Sequence, residues 1–418
     1  MVFFRVINNI NIKITDGTLI KYRRYKAPIL KDNETVYITT YEDFMDLRSI
    51  FARVDKNKYQ AKRMKDDICT QISGVPVELG ISFSKEMDIR DKYNDISFME
   101  IRKKDLTSQL KSFHKDSISV ALIGALGNSI SDMIASMTAL RIFYNKLREI
   151  YKNVNLDIFI RCSNNSYFNR DRDIYKTQEY INGVFPLSVD LKTFCKYDYF
   201  VDNSVDISKI LDINIVDAWL FKFGIDYEKI SDLEKFSTID ISNFTLTKDL
   251  NTKLLEAKKR GKLLLYHPYS ASITKSIPQG FAVEILKGLL KSLDNYIIVS
   301  TLKIDPKIKD DNFLDLSGYS KTIEDFIYIV SFVDKIITAH TSALHISDAF
   351  MIPTICITTK KNYETLLKYY KNVKPIYVED SSKNLSKFIY DNDILTINKF
   401  ENWKKLKAKK IIEVLESF

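Results

Sequence analysis

The stretch SISVALIGALGNSISDMIASMTALR, residues 117–141, carries the strongest fold signal in the chain. It opens with a continuous apolar run, which is typical of a strand buried on both faces of a parallel sheet. A loop with two glycines follows, and then a long segment that has helical character. Two strand-like segments come later, LDIFIRC at 156–162 and YDYFVDN at 197–203. This order of strand, helix and strand predicts a βαβ unit in a doubly wound α/β sheet.

The same alternation returns in the second half of the chain, after a polar, helix-prone segment at 249–260. Four predicted strands alternate there with three predicted helices. In chain order these are KLLLYH (262–267), FAVEILKGLLKSL (281–293), YIIVSTL (296–302), IEDFIYIVSFV (323–333), KIITAH (335–340), SALHISDAF (342–350) and TICITT (354–359). We therefore expect a second Rossmann-like half.

The first 115 residues have a different character. Four short segments rich in β-branched and aromatic residues, at 2–7, 10–15, 18–25 and 35–40, predict strands, and the pattern from Tyr41 to about His114 is helical and highly charged. No motif in this section indicates a mechanism. The predicted domains are a small α+β N-terminal domain (1–115), two Rossmann-like lobes (116–247 and 248–395) and a C-terminal helix (396–418) that packs across the lobes.

Length and composition indicate a multidomain globular protein. The chain has 418 residues, 45% of them hydrophobic and 28% charged, and single cores rarely exceed about 250–300 residues. No segment reaches the roughly 18 uninterrupted apolar residues of a membrane helix. The N-terminus lacks the features of a signal peptide, so we expect a cytoplasmic protein. The net charge of +9 suits an anionic partner, although lysine is mixed with acidic residues throughout.

The four cysteines argue against a metal or disulfide framework. Cys69, Cys162, Cys195 and Cys356 are widely separated and form no C-x-x-C pair. This spacing disfavours a zinc or iron–sulfur site and disulfide bonds, so we expect reduced, buried thiols.

The first candidate loop, Gly124 to Asp132, lies between a predicted buried strand and a long helix. Ligands of open α/β sheets bind beyond the carboxyl ends of the strands, so this loop is well placed, and its glycines let the backbone approach a ligand. Its spacing is not that of a dinucleotide fingerprint. The alternative is that Ser131 or Asp132 only caps the helix. Asn128 and Ser129 are the other polar candidates here.

The second candidate loop, HPYSASITKSIP at 267–278, also follows a predicted strand and precedes a helix. Hydroxyls and a lysine in such a loop can donate to phosphate oxygens, and a diphosphate would fit. The alternative is a solvated polar loop. The candidate ligands of a phosphate are Ser270, Ser272, Thr274 and Lys275.

The third candidate loop is TAHTSALH at 338–345, where a predicted strand runs into a helix at Thr341 or Ser342. Backbone N–H groups and the helix dipole make such a helix start an anion site. His345 falls on the first turns of that helix. His267, His340 and His345 all end or follow predicted strands, but no cysteine or carboxylate completes a metal ligand set at suitable spacing, so no metal site is expected.

Together these loops resemble the heptosyltransferases, glycosyltransferase family 9. The segment 130–141 resembles the family's Leu-Gly-Asp turn and the helix ending in Pro-Ala-Leu-Arg, which places Asp132 at the catalytic aspartate. The loop 267–282 is similar to the family's His-Pro…Lys-x-Trp-Pro loop, which places Lys275 at the phosphate-binding lysine. The stretch 316–357 is similar to the segment that ends in Asp-Thr-Gly-x-x-His, and 214–226 is similar to the inter-lobe His-x-x-Asp…Gly segment.

The resemblance implies a GT-B fold and an inverting, metal-independent sugar transfer from a nucleotide-diphosphate donor, ADP-heptose in first place, with no cofactor. Asp132 would be the catalytic base, with Asn128, Ser129 and Ser131 on the acceptor side. The donor side would comprise Ser270, Ser272, Thr274, Lys275, His340, Thr341, Ser342 and His345. The acceptor would be a lipopolysaccharide or other surface glycan, or a protein, since the long front section is similar to the extra domain of protein O-heptosyltransferases.

Four departures from the family pattern leave other functions open. His340 stands for the family's aspartate, Ser342 for its glycine and Ile277 for its tryptophan, and the Gly-Pro-Thr turn is absent after 359. The alternatives are an enzyme of the same fold that uses a UDP-sugar and a catalytically silent binding module. No nucleic-acid partner is expected, while peripheral membrane contact and homo-oligomers formed through the N-terminal domain stay open.

Overall fold

The structure is a computed structural model, and it describes residues 2–25, 35–64, 105–110, 116–162, 167–203, 213–271, 275–379 and 402–418. The chain forms two compact units, Met1–Lys235 and Phe236–Phe418. Our expected boundary between the lobes, after residue 247, lies twelve residues later than this division. Among the described residues, no helix is both long enough and apolar enough to cross a membrane.

The described part of the first unit contains ten strands and six α-helices, with a short 3-10 helix at Tyr227–Lys229. They are β1 (Val2–Val6), β2 (Ile10–Lys13), β3 (Leu19–Tyr22), β4 (Tyr37–Thr39), α1 (Tyr41–Asp55), β5 (Ala61–Arg63), α2 (Leu106–Leu110), β6 (Ser117–Ile123), α3 (Ile130–Ile150), β7 (Asn153–Ile160), α4 (Phe168–Lys176), β8 (Gly183–Pro186), β9 (Val189–Asp190), α5 (Leu191–Phe194), β10 (Tyr199–Asp202) and α6 (Ile215–Lys222).

The N-terminal part contains the four predicted strands, β1 to β4, and the predicted helix α1, and the distant strand β9 joins its sheet. Its antiparallel sheet has the strand order β5-β1-β4-β9, and β2 and β3 form a separate hairpin. Thr40 caps α1 by accepting a hydrogen bond from the Asp43 N–H at 3.2 Å. Helix α1 buries Phe44, Leu47 and Phe51 against this sheet. Residues 61–63, which we expected to be helical, form strand β5 instead, and most of the charged section after them lies outside the described residues.

Strand β9 ties the N-terminal part to the first parallel sheet. It pairs antiparallel with β4, in the register Tyr37 to Asp190 and Ile38 to Val189. The buried cluster around it contains residues from both parts, among them Ile38, Ile123 and Leu191. The N-terminal part therefore shares a core with the sheet that follows it.

The first parallel sheet confirms the predicted doubly wound unit. Its order is β10-β6-β7-β8, all parallel, with β6 in the middle as the 117–123 segment predicted. Strand β6 is buried along most of its length, and α3 buries eleven of its side chains. Because the order changes direction at β6, the carboxyl ends of β6 and β10 bracket a switch point, where α/β proteins bind ligands.

The described part of the second unit contains six strands and six α-helices, with a 3-10 helix at Asn402–Lys405. They are α7 (Leu250–Arg260), β11 (Lys262–His267), α8 (Gln279–Ser292), β12 (Tyr296–Ser300), β13 (Phe313–Asp315), α9 (Ile323–Phe332), β14 (Lys335–Ala339), α10 (Ser342–Ala349), β15 (Thr354–Thr358), α11 (Tyr363–Leu367), β16 (Val373–Tyr377) and α12 (Ala408–Glu416).

The second parallel sheet has the order β13-β12-β11-β14-β15-β16, so all four predicted strands are present and two more extend its edges. Strands β11, β12, β14 and β15 are almost wholly buried, which explains their continuous apolar sequences. The switch point lies between β11 and β14. This is where the second and third candidate loops begin.

The C-terminal segment packs on the core of the second unit. Trp403, Leu406, Ile411 and Leu415 are buried in the cluster that also contains the inner face of α8. Gly288 of α8 touches Ala408 so closely that a β-carbon at 288 would collide with it. Helix α12 is thus a structural part of this unit.

Candidate active-site loops

Asp132 occupies the first turn of α3, but it is not the cap of that helix. Ser129 is the cap, since its side chain accepts a hydrogen bond from the Asp132 N–H at 3.1 Å. Ser131 and Asp132 are the second and third helical residues, so the alternative that either of them caps α3 is wrong. The hydroxyl of Ser129 is committed to this cap, whereas Asn128 is exposed.

The Asp132 carboxylate is partly exposed and makes no hydrogen bond or ion pair within the described part of its unit. The hydrogen bonds of this residue are made by its backbone: its N–H donates to the Ser129 hydroxyl, and its carbonyl accepts from the Ser136 hydroxyl at 2.5 Å. Asp132 is therefore available as a proton acceptor.

Gly127 holds the loop against Asp132. Its φ is +94°, and a β-carbon at this position would collide with the β-carbon of Asp132. The loop is fixed from the other side by Tyr175, whose buried hydroxyl accepts a hydrogen bond from the Leu126 N–H at 2.7 Å. Only glycine satisfies both the conformation and the space at residue 127.

Asn203 is a further candidate residue, which lies beside the first loop although no sequence motif marks it. It follows β10, is only 5% exposed, and donates from Nδ2 to the Gly124 carbonyl at 3.2 Å. Its Oδ1 is buried and has no hydrogen-bond partner among the described residues. The one sequence feature that indicates Asn203 is its position, since it is a polar residue directly after a buried strand and at the same sheet edge as the first loop.

In the second unit, Lys275 precedes α8 in the predicted phosphate-binding loop. Its ammonium forms no hydrogen bond or ion pair with the described residues of this unit. The loop is closed by Ser276, whose hydroxyl accepts from the Ser270 N–H at 2.8 Å and donates to the Ser270 carbonyl at 3.1 Å. Ser272 and Thr274, also predicted here, lie outside the described residues.

The third loop starts α10 at the residue that the sequence predicted. Thr341 is the cap, and its side chain accepts from the Ala343 N–H at 3.2 Å and shares a 2.8 Å hydrogen bond with the Thr338 hydroxyl. Both threonines are buried, so their hydroxyls have a structural role. Ser342, the first helical residue, is partly exposed and its side chain is not engaged by the described residues.

His340 and His345 carry strongly perturbed imidazoles. Burial, followed by the charge of Lys275, lowers the pKa of His345 to about 3. Burial, followed by the charges of His345, Lys275 and Lys360, holds the pKa of His340 well below its ordinary value. The Nδ1 atom of His345 is 2.5 Å from the Tyr370 hydroxyl, while the buried Nδ1 of His340 has no partner among the described residues. Both rings are therefore neutral at physiological pH.

Lys275, His340 and His345 thus interact electrostatically, and Lys360 acts on His340 as well. Lys360 follows β15 in the segment where the sequence lacks the family's Gly-Pro-Thr turn. No motif marks Lys360 in the sequence, but β15 pairs with β14, so a lysine just after β15 lies at the same sheet edge as the third loop. Two cations beside two neutral imidazoles and a helix start favour an anionic ligand.

His267 and the cysteines have structural surroundings. The His267 ring is buried, its Nδ1 lies 3.0 Å from the Thr301 hydroxyl, and burial lowers its pKa to about 4. Cys162, Cys195 and Cys356 are free thiols, whereas Cys69 lies outside the described residues. In the described part of the chain, no group of three or more histidines, cysteines and carboxylates is placed to hold a metal ion.

Asp217 lies in the segment that resembles the family's inter-lobe sequence, and it forms a buried ion pair with Lys235, which follows that segment. The Lys235 ammonium donates to the Asp217 carboxylate at 2.8 Å and to the Tyr227 carbonyl at 2.9 Å. The two charged side chains are 2% and 4% exposed. This pair fixes the end of the first unit to α6.

No protein-family model matches the chain, and no curated protein matches it significantly. Solved structures that it resembles include three glycosyltransferases. ADP-heptose LPS heptosyltransferase II of E. coli shares 10% identity and a TM-score of 0.45 over 62% of this chain and 90% of its own. A family 9 glycosyltransferase of Veillonella parvula shares 10% identity and a TM-score of 0.48, over 73% and 98%.

The third is the iron-containing dodecameric glycosyltransferase TibC of enterotoxigenic E. coli, with 13% identity and a TM-score of 0.46 over 72% of this chain and 78% of its own.

Proposed function

We propose that the protein is an inverting, metal-independent glycosyltransferase. It moves a sugar, heptose in first place, from a nucleoside-diphosphate donor to a hydroxyl group of a glycan or protein. The nucleotide-sugar binds to the second unit and Asp132 of the first unit serves as the base. The choice of ADP-heptose as donor rests on the sequence resemblance of the three loops.

The observation that carries the proposal is the charge arrangement around α10. Lys275 lies close enough to His340 and His345 to lower the pKa of both, and both rings are neutral. A diphosphate placed beside Lys275 and the start of α10 meets an ammonium group and backbone N–H groups, while a neutral imidazole can still donate or accept a hydrogen bond. Such a site stabilises a departing nucleoside diphosphate without requiring a metal ion.

The transfer is a single displacement. The acceptor oxygen attacks the anomeric carbon, the bond between that carbon and the diphosphate oxygen breaks, and the configuration inverts. The Asp132 carboxylate takes the proton of the acceptor hydroxyl, a contribution of about 10²–10⁴-fold for a well-placed general base. The electron pair leaves with the nucleoside diphosphate, whose growing negative charge is met by Lys275 and the α10 N-terminus.

A thermal shift series with ADP, UDP, GDP and CMP tests the donor assignment. A nucleotide at 100 times its dissociation constant adds about 2.7 kcal/mol of stability. A selective rise with ADP supports the proposal, and a rise with UDP or GDP alone keeps the transferase and changes its donor. If no nucleotide shifts the folded protein, the silent binding module becomes the better account.

A further inference from the structure

A groove in the N-terminal α+β part lies outside the proposed transfer site. It runs between α1 and strand β5 and has a volume of about 600 Å³, which is in the range of small-ligand sites, about 300–1,000 Å³. One wall is a stripe at spacings of three and four residues, formed by four residues of α1 and the cap that follows it: Tyr41, Met45, Arg48, Ala52 and Lys56. This is a second face of the helix, since its other face is buried on the sheet.

The groove is positively charged, and the described residues that line it include no aspartate or glutamate. Arg48, Lys56 and Lys62 line it, all three are exposed, and none forms an ion pair with a described residue. Three such cations, none of them in an ion pair with a described residue, favour an anionic ligand.

The carboxylates of α1 are held away from the groove. Glu42 and Asp46 both pair with Arg161, which follows β7. Asp55 accepts hydrogen bonds from the backbone N–H groups of Asn57 and Lys58, at 3.0 and 3.1 Å. The helix therefore carries both signs of charge but presents only cations to this groove.

Aromatic and apolar surface accompanies the charges. Tyr41 is 45% exposed and Met45 is 42% exposed, and Tyr59 lines the groove near β5. Flat amphipathic rings suit a ligand with apolar faces and polar edges, such as a sugar ring. A single-stranded nucleic acid also combines flat faces with charge, but it needs a channel that follows several phosphates, whereas the described residues form a single groove of about 600 Å³.

We propose that this groove binds an anionic saccharide, a sugar chain that carries phosphate or carboxylate groups. The choice of a saccharide rests on the proposed glycosyltransferase function, because a transferase that extends glycans meets such chains as acceptors or products. The groove holds the chain by its charged groups and adds affinity beyond the transfer site.

A pair of probes that differ only in charge tests the proposal, using mannopentaose and phosphomannopentaose with the full-length protein. We expect the phosphorylated sugar to bind about tenfold more tightly or better, and to lose that advantage in the triple variant Arg48→Ala, Lys56→Ala, Lys62→Ala. Arg53→Ala is the matched control, since Arg53 is exposed on α1 but does not line the groove. It should bind like the wild type.

Equal binding of the two sugars, or equal losses in the triple variant and in Arg53→Ala, would overturn the proposal. Tighter binding of a twelve-residue oligothymidylate through the same three residues would also overturn it, in favour of a nucleic-acid site. ADP binding is measured in each variant. If ADP binding is normal while the charge-dependent sugar binding fails, the groove proposal fails alone. If the protein binds no nucleotide, the proposed function fails independently of the groove.

Discussion

The rings of His340 and His345 lie 5.8 Å apart, centroid to centroid, at the start of α10. Each ring would repel a proton on the other, and Lys275 adds a fixed positive charge beside both. The pair is thus kept neutral in a place where an anion is favoured. A neutral imidazole at residue 340 adds no negative charge that would repel a diphosphate.

This relationship predicts a pH dependence of stability. His345 has a pKa of about 3 in the folded protein and about 6.5 when unfolded. The unfolded chain therefore binds the extra proton first, so stability is lost as the pH falls below about 6.5, down towards the folded pKa. Between pH 7 and 5.5 we expect His345 alone to cost about 1 kcal/mol. Urea unfolding at both pH values should show a smaller loss in His345→Gln than in the wild type, and equal losses would contradict the assignment.

Lys275 should govern nucleotide affinity. Lys275→Ala removes the ammonium that faces the proposed diphosphate, and the loss of one charge-assisted contact is worth about 1.5–3 kcal/mol. We expect ADP to bind about tenfold to a hundredfold more weakly by calorimetry. Lys291→Ala, a change of the same kind in the last turn of α8, is the control. An unchanged affinity for ADP in Lys275→Ala would remove Lys275 from the donor site.

Gly127 should tolerate no side chain. Gly127→Ala combines a left-handed backbone with a collision against Asp132, so we expect a loss of about 1–3 kcal/mol and of transfer activity. Gly17→Ala separates the two effects, because Gly17 has a φ of +88° but open space around its α-carbon. A Gly127→Ala variant no less stable than Gly17→Ala would show that the contact with Asp132 is unimportant.

The Asp217–Lys235 pair should behave as a buried unit. Asp217→Asn leaves the ammonium of Lys235 buried without its counter-charge, which costs about 3–5 kcal/mol. The double variant Asp217→Leu, Lys235→Met removes both charges and should recover most of that loss, as chemical denaturation can measure. If the single and double variants were equally unstable, packing and not charge would explain the effect.

The sequence predicted the two parallel sheets because their central strands are buried on both faces and therefore apolar throughout. It also predicted that a helix begins at Thr341 or Ser342, and α10 begins at Ser342 with Thr341 as its cap. The sequence did not predict the short strands at the sheet edges. Strand β5 carries Lys62 and Arg63 within a charged section, and β9 is two residues long, so neither has a periodic pattern to detect.

The sequence marks candidate residues that occur within one loop, but it does not mark those whose position depends on the sheet order. Lys275, His340 and His345 belonged to recognisable loops, whereas Asn203 and Lys360 reach the same sheet edges from strands β10 and β15. Their positions follow from the pairing of β10 with β6 and of β15 with β14, which the local sequence does not encode. The cap of α3 is a separate case, because Ser129, Ser131 and Asp132 are all capping residue types within one loop, and the local sequence does not decide which of them caps the helix.

Release of ADP from ADP-heptose, measured with an extract of surface glycans as the acceptor, tests the central claim most directly when the wild type is compared with Asp132→Asn. The amide has the shape of the carboxylate but cannot take a proton, so we predict turnover by the wild type and a loss of about 10²–10⁴-fold in the variant. ADP should bind both proteins equally. An Asp132→Asn variant as active as the wild type would contradict the assignment of Asp132 as the base, and a wild type that turns over no nucleotide-sugar would contradict the proposed transferase function.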